Sequence, residues 1–237
     1  MFKIYQFAVT NGYIEHNIIV DIDKKSTLLK NKETHLPAIT EKEEIKQLLI
    51  DIYSLEDRFR SHISTIYIFK LIPYVFVRSE NIRLMCWDDL DLEKGYWAIP
   101  KEKMKMNVDF VCPLPKQAIK LIKEIEPFTS NRSKYVFPSP QKSDRGVAGA
   151  TLADTLNRLG YQNRHCFHGF RSMFSTIAHE LYKEHGFHSD IIESCLAHKE
   201  KNKIKAAYNR VSKFKYFEEK KELIQWWANW LDKLIEI

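Results

Sequence analysis

Two imidazoles, a guanidinium and a phenol sit close together in the C-terminal third of this 237-residue chain, in His168-Gly-Phe-Arg171, Leu196-Ala-His198 and Tyr208. One phosphodiester could meet all of these groups. His168 and Arg171 stand three residues apart at the start of a helical pattern, so the spacing predicts that both project from the same side of its first turn. The apolar stripe of that helix, Phe170, Met173, Phe174, Ile177 and Leu181, centres more than a quarter turn away at about 100° per residue. The pair is therefore expected to stay open to a ligand while the helix is anchored. A helix N-terminus beside an arginine suits a phosphate, because unpaired N–H groups and a guanidinium fork both favour an anion.

In longer form these pieces read His168-Gly-Phe-Arg171, Leu196-Ala-His198-Lys-Glu-Lys-Asn-Lys203 and Ala206-Ala-Tyr208-Asn-Arg210. Together they resemble the signature of the tyrosine recombinases, and most closely that of the integrases of satellite phages and genomic islands. The similarity extends upstream to Phe76-Val-Arg78-Ser-Glu-Asn-Ile-Arg83 with Trp87, and to Ile99-Pro100-Lys-Glu-Lys-Met-Lys105-Met. Val136-Phe-Pro-Ser-Pro140 and Gln225-Trp-Trp-Ala228 also match that subgroup, so ordered motifs run from about Ile39 to Trp230. Two positions depart from the pattern: Asn81 stands where the subgroup usually has glutamate, and Ala197 replaces the commoner glycine.

The resemblance implies an α+β, mainly α-helical catalytic domain with a small three-stranded antiparallel sheet. It implies Arg78 and Arg171 as the pair that holds the nonbridging phosphate oxygens, with His168 and His198 donating further hydrogen bonds. Tyr208 would be the nucleophile, giving a 3′-phosphotyrosyl intermediate, and Lys105 would protonate the leaving 5′-oxygen. Guanidinium forks suit this task because they bind bidentately and keep their protons. The covalent link conserves bond energy, so rejoining needs no ATP, and no glycine-rich phosphate loop ending in Lys-Ser/Thr occurs. No metal and no cofactor are implied. The implied partner is double-stranded DNA at attachment sites, bound by a homo-tetramer that is a monomer in isolation. Lys199, Lys201, Lys203 and Lys205 form a charge run that either stays solvated or, like Lys103, meets the DNA backbone.

Composition fits this without identifying it. The net charge of +6 favours a polyanionic partner. Cys86, Cys112, Cys166 and Cys195 are far apart, which predicts reduced thiols in a reducing compartment and neither a zinc site nor a disulfide framework. The apolar stretch from Ile66 to Val77 contains Lys70 and Pro73 and is too short to span a membrane. A cytoplasmic protein is expected.

Residues 1–20 read as the last helix of a preceding DNA-binding domain, cut short, and 21–40 as a linker. Residues 41–237 read as the catalytic domain. Thr40 with Glu43 predicts a capping box at its first helix. Residues 41–58 and 61–85 read as helices, and Asp88–Leu92, Tyr96–Pro100 and Asp109–Leu114 as an antiparallel meander with Lys94-Gly95 as its first turn. From Thr151 the pattern is helical to the end, interrupted at Gly160, Gly186 and around His198. The last helix, Tyr216–Ile237, carries Leu223, Trp226, Trp227, Trp230, Leu231 and Leu234. That is more apolar surface than one core normally needs, so docking on a neighbouring subunit is expected as readily as packing within its own.

His179-Glu180 opens like a zinc-protease motif but has Lys183 where the second histidine must stand, so His185 and His188 read as loop histidines. A type IB topoisomerase would use much the same side chains without assembling a tetramer. A DNA-binding remnant that no longer cleaves is the non-enzyme alternative. A metal-dependent nuclease lacks its carboxylate cluster.

Overall fold

A computed structural model of the chain describes residues 2–20, 36–105, 107–198 and 214–235. The chain divides into two compact units, Met1–His35 and Leu36–Ile237. In the first, helix α1 (Phe2–Thr10) ends at Asn11-Gly12, where Gly12 takes a φ of +71°. Ile4, Phe7 and Tyr13 are exposed.

The second unit opens with α2 (Lys42–Tyr53), which buries Ile45, Leu48, Leu49 and Ile52 at helical spacing. The expected Thr40 capping box does not form. The N-cap is Glu41, with no side-chain cap bond, so the register is one residue late for a hydroxyl at the cap and Glu43 three on. The expected helix over 41–58 also breaks at Ser54, whose Oγ donates to the Asp51 carbonyl at 2.9 Å, and α3 (Leu55–Arg58) follows. The expected helix over 61–85 is three pieces: α4 (Ile63–Leu71), a 3-10 turn Ile72–Tyr74, and α5 (Ser79–Arg83) after an extended segment through Arg78. Pro73 explains the break, since it offers no N–H and its ring crowds the preceding turn.

Strands β1 (Leu90–Asp91), β2 (Tyr96–Ile99) and β3 (Phe110–Pro113) form an antiparallel sheet in sequence order. Leu90 pairs with Trp97, and Trp97 with Cys112. At the β1–β2 turn, Gly95 has φ +71° and the Lys94 N–H donates to Asp91 Oδ1 at 2.9 Å. The first strand is shorter than expected because Trp87–Asp89 is a 3-10 turn. Helix α6 (Lys116–Thr129), not anticipated above, buries Ala118, Leu121, Ile122 and Ile125 and packs on α4.

Four helices carry the C-terminal half: α7 (Gly149–Arg158), α8 (Gly169–Glu180), α9 (Tyr182–His185) and α10 (Ser189–Cys195). Gly186 closes α9 in the left-handed region at φ +77°. The last described helix is α11 (Phe217–Ile235), packed on α2, α10, β3 and the Ile72–Tyr74 turn. Docking of this helix on a neighbour through Trp227 is overturned. Trp227 has no exposed surface, its indole N–H donates to the Pro73 carbonyl at 2.8 Å, and its ring meets Phe76, Phe174 and Trp230. Leu223, Trp227, Leu231 and Leu234 are buried within the chain because α11 is covered from several sides, while Trp226 and Trp230 stay half-buried.

Candidate active site

Arg78 sits at the N-cap of α5, half-buried, at the end of an extended segment. The ring of Phe76 anchors that segment by stacking on Phe174 of α8, 3.6 Å between centroids. His168 is the N-cap of α8 and exposed, whereas Arg171, one turn on, is only 4% exposed. Of the expected open His168/Arg171 pair, the arginine is therefore buried, its guanidinium drawn inward by backbone acceptors. Its Nη1 donates to the Phe76 carbonyl and its Nη2 to the Leu196 carbonyl at 2.7 Å, and Nη2 lies 3.3 Å from His198 Nε2. Arg171 thus ties the segment leading to Arg78 to the turn bearing His198. Its Nε is buried without a hydrogen-bond partner among the described residues.

His198 follows α10 through Ala197, whose φ of +50° is the left-handed conformation that glycine adopts without strain. The commoner glycine at this position has its physical reason here. The exposed His198 ring is held at Nδ1 by Glu193 Oε2 at 2.6 Å. Glu193 escaped the sequence reading; a carboxylate five residues before the histidine, in the preceding helical turns, was its only signal.

Arg78, Arg171, Asn81, Met104, Phe110 and Ala197 line one narrow cleft. Lys105 is exposed in the β2–β3 connection, next to Met104 in sequence. The connection is tied to α5 by the Asn81 side-chain amide, which donates to the Lys103 carbonyl at 2.8 Å. Asn81 therefore bonds to this backbone where the subgroup's glutamate would stand. The Lys103 ammonium pairs with Asp89 at 2.5 Å; burial alone would lower its pKa, and Asp89, with Cys86, carries it upward. Tyr208, Lys199, Lys201 and Lys203 lie outside the described residues. The structure brings together Arg78, His168, Arg171 and His198.

Their electrostatics match an anion site. Burial, then Arg78, pushes Arg171 down to about 10, which leaves it charged at neutral pH. Burial lowers His168 as well, helped by Arg171, Arg78 and His198. A phosphodiester would relieve this mutual repulsion. Among the described residues no group of three or more His, Cys, Asp or Glu could hold a metal. His179, in the discounted zinc motif, instead meets the Ser175 carbonyl at 2.6 Å and Ser189 Oγ at 3.0 Å. Cys112 and Cys195 are buried free thiols with raised pKa values, Cys112 to about 12, so neither is a reactive thiolate. No described helix is long and apolar enough to cross a membrane.

Known proteins resemble this chain in sequence and in fold. The integrase of Enterobacteria phage P4 is 30% identical over 244 residues, covering 97% of this chain and 52% of that protein. Prophage integrase IntA of Escherichia coli (strain K12) is 36% identical over 143 residues, 60% of this chain and 33% of that protein. The chain spans about half the length of most of the curated relatives it matches. A lambda integrase (75-356) dimer bound to a COC′ core site has the same fold, with TM-score 0.58 at 15% identity over 89% of this chain and 72% of that one. XerA recombinase gives 0.53 at 13% identity, over 92% and 80%. The model of the phage integrase family matches residues 38–214, a span that contains both arginines, the hairpin, both histidines and Tyr208, and the chain belongs to that family.

Proposed function

We propose that this chain is the catalytic part of a site-specific DNA recombinase that cleaves and rejoins DNA through a 3′-phosphotyrosyl intermediate. The observation that carries this is the cleft lined by Arg78 and Arg171, with Arg171 tied to the Phe76 carbonyl, the Leu196 carbonyl and His198, and His168 within electrostatic reach of Arg171, Arg78 and His198.

Tyr208 attacks phosphorus, forming the Tyr O–P bond as the P–O5′ bond breaks. The arginines hold the nonbridging oxygens as negative charge builds, and the histidines donate to the same oxygens. The tyrosine gives its proton to water, and the 5′-oxygen gains one from Lys105, whose long stem can reach it. Rejoining reverses these steps at another 5′-hydroxyl. Positive side chains take the place of a metal, so the chemistry is metal-independent.

The partner is double-stranded DNA, with Lys199, Lys201, Lys203 and Lys103 as phosphate contacts. Because a structural neighbour is a lambda integrase tetramer bound to a Holliday junction, we assign a homo-tetramer on DNA, acting in the cytoplasm. Residues 1–20 are assigned as the end of a preceding DNA-clamping domain and 21–40 as a linker to the catalytic domain. The test is a randomised pool of nicked duplexes incubated with the protein in EDTA. Covalent protein–DNA adducts should accumulate; adducts that need a divalent metal, or none from any duplex, would overturn the reading.

A further inference from the structure

Glu193 has no part in the chemistry described so far, yet its carboxylate holds His198 at Nδ1, the ring nitrogen opposite the one that would meet a phosphate. An ionised carboxylate can only accept hydrogen bonds, so His198 Nδ1, 2.6 Å from Glu193 Oε2, carries a proton. On the other side of the ring, Arg171 Nη2 lies 3.3 Å from Nε2 and can only donate. With the proton on Nδ1, the ring turns its Nε2 lone pair toward Arg171. A lone pair cannot serve a phosphate oxygen. Moving the proton from Nδ1 to Nε2 would turn a second lone pair against Glu193, so the ring becomes a donor at Nε2 only by gaining a proton.

We propose that Glu193 is a positioning residue for His198: it fixes the Nδ1–H form and acts as counter-ion when Nε2 takes up a proton to donate to the scissile phosphate. The second half rests on the proposed recombinase reading. The groups facing this ring define the balance. Arg171 and His168 come from the first turn of α8, and the Arg171 charge 3.3 Å from Nε2 opposes a further positive charge on the ring. Glu193 on α10 favours it, as does the incoming phosphate. Glu193 is itself flanked: its Oε1 is 4.0 Å from His179 Nε2 on the last turn of α8, and that ring is pinned by Ser175 and Ser189. The geometry makes Glu193 a fixed counter-charge.

Glu193 is partly exposed, so its variants should fold. Glu193→Gln keeps an oxygen for Nδ1–H and removes the charge, whereas Glu193→Ala removes both. In single-turnover cleavage of nicked duplexes, Glu193→Gln should be about tenfold slower, in the range found when a group that orients a functional histidine is lost. DNA affinity should hardly change, and in a His198→Ala background Glu193→Gln should add nothing. An unchanged cleavage rate in Glu193→Gln, or an equal loss in the His198→Ala background, would overturn the proposal.

Imidazole nitrogen NMR needs no turnover. Wild-type His198 should show the Nδ1–H tautomer when free and protons on both nitrogens when a duplex is bound, with the second proton missing in Glu193→Gln. An Nε2–H tautomer in the free protein, or an unprotonated Nε2 with DNA bound, would also refute it. Absence of any wild-type adduct alongside the expected spectra would instead count against the recombinase reading.

Discussion

Trp227→Ala asks most sharply whether the last helix belongs to the core. The indole is fully buried, stacked on Trp230 at 5.1 Å and edge-on to Phe76 at 6.2 Å and Phe174 at 5.4 Å. Truncating a buried tryptophan costs about 3–5 kcal/mol through lost transfer energy and the cavity left behind. The Pro73 carbonyl also loses its donor, which places the change near the top of that range, at about 4–5 kcal/mol. Against a total stability of about 5–15 kcal/mol this is a large fraction. In urea unfolding followed by far-UV circular dichroism, with a slope of about 2 kcal/mol per molar, the midpoint should fall by about 2 M. Trp227→Phe, which keeps the ring contacts and loses the N–H, should fall by well under half as much. A Trp227→Ala monomer as stable as the wild type, with only assembly on DNA impaired, would refute the packing described here.

Three further outcomes follow from local geometry. A Cβ at Gly169 would lie 2.9 Å from both His165 Cε1 and the Pro37 carbonyl oxygen, so Gly169→Ala should destabilise by about 1–3 kcal/mol in the same unfolding assay. Ala197→Gly relieves a left-handed residue, and its midpoint should rise by the equivalent of about 1 kcal/mol. His165 is buried, accepts from the Ile39 N–H at 3.0 Å, and is pushed down by burial to about 4. Its contribution is complete above the ordinary value of 6.5 and is lost as pH falls from there toward 4, by up to about 3 kcal/mol, a slope that His165→Gln should flatten.

Spacing alone put His168 and Arg171 at the start of one helix, where the structure has them, because a helix start is a local fact. That Arg171 turns inward was not legible, because its partners, the Phe76 and Leu196 carbonyls, are backbone atoms 95 and 25 residues away. Glu193 stayed hidden for a related reason: it reaches His198 only because α10 ends in a left-handed turn at Ala197. The α4–α5 break could have been read from Pro73, whereas the burial of α11 depends on four separate elements meeting one helix. Apolar content alone does not say whose core it fills.

The proposed reaction is attack by Tyr208 on a phosphate bound by two arginines and two histidines. It is tested by trapping the protein on nicked duplexes, digesting the adduct and locating the modified residue by mass spectrometry. A 3′-phosphoryl linkage on Tyr208 is expected, which Tyr208→Phe abolishes while DNA binding persists; an adduct on another residue, or one that survives this substitution, would refute the assignment.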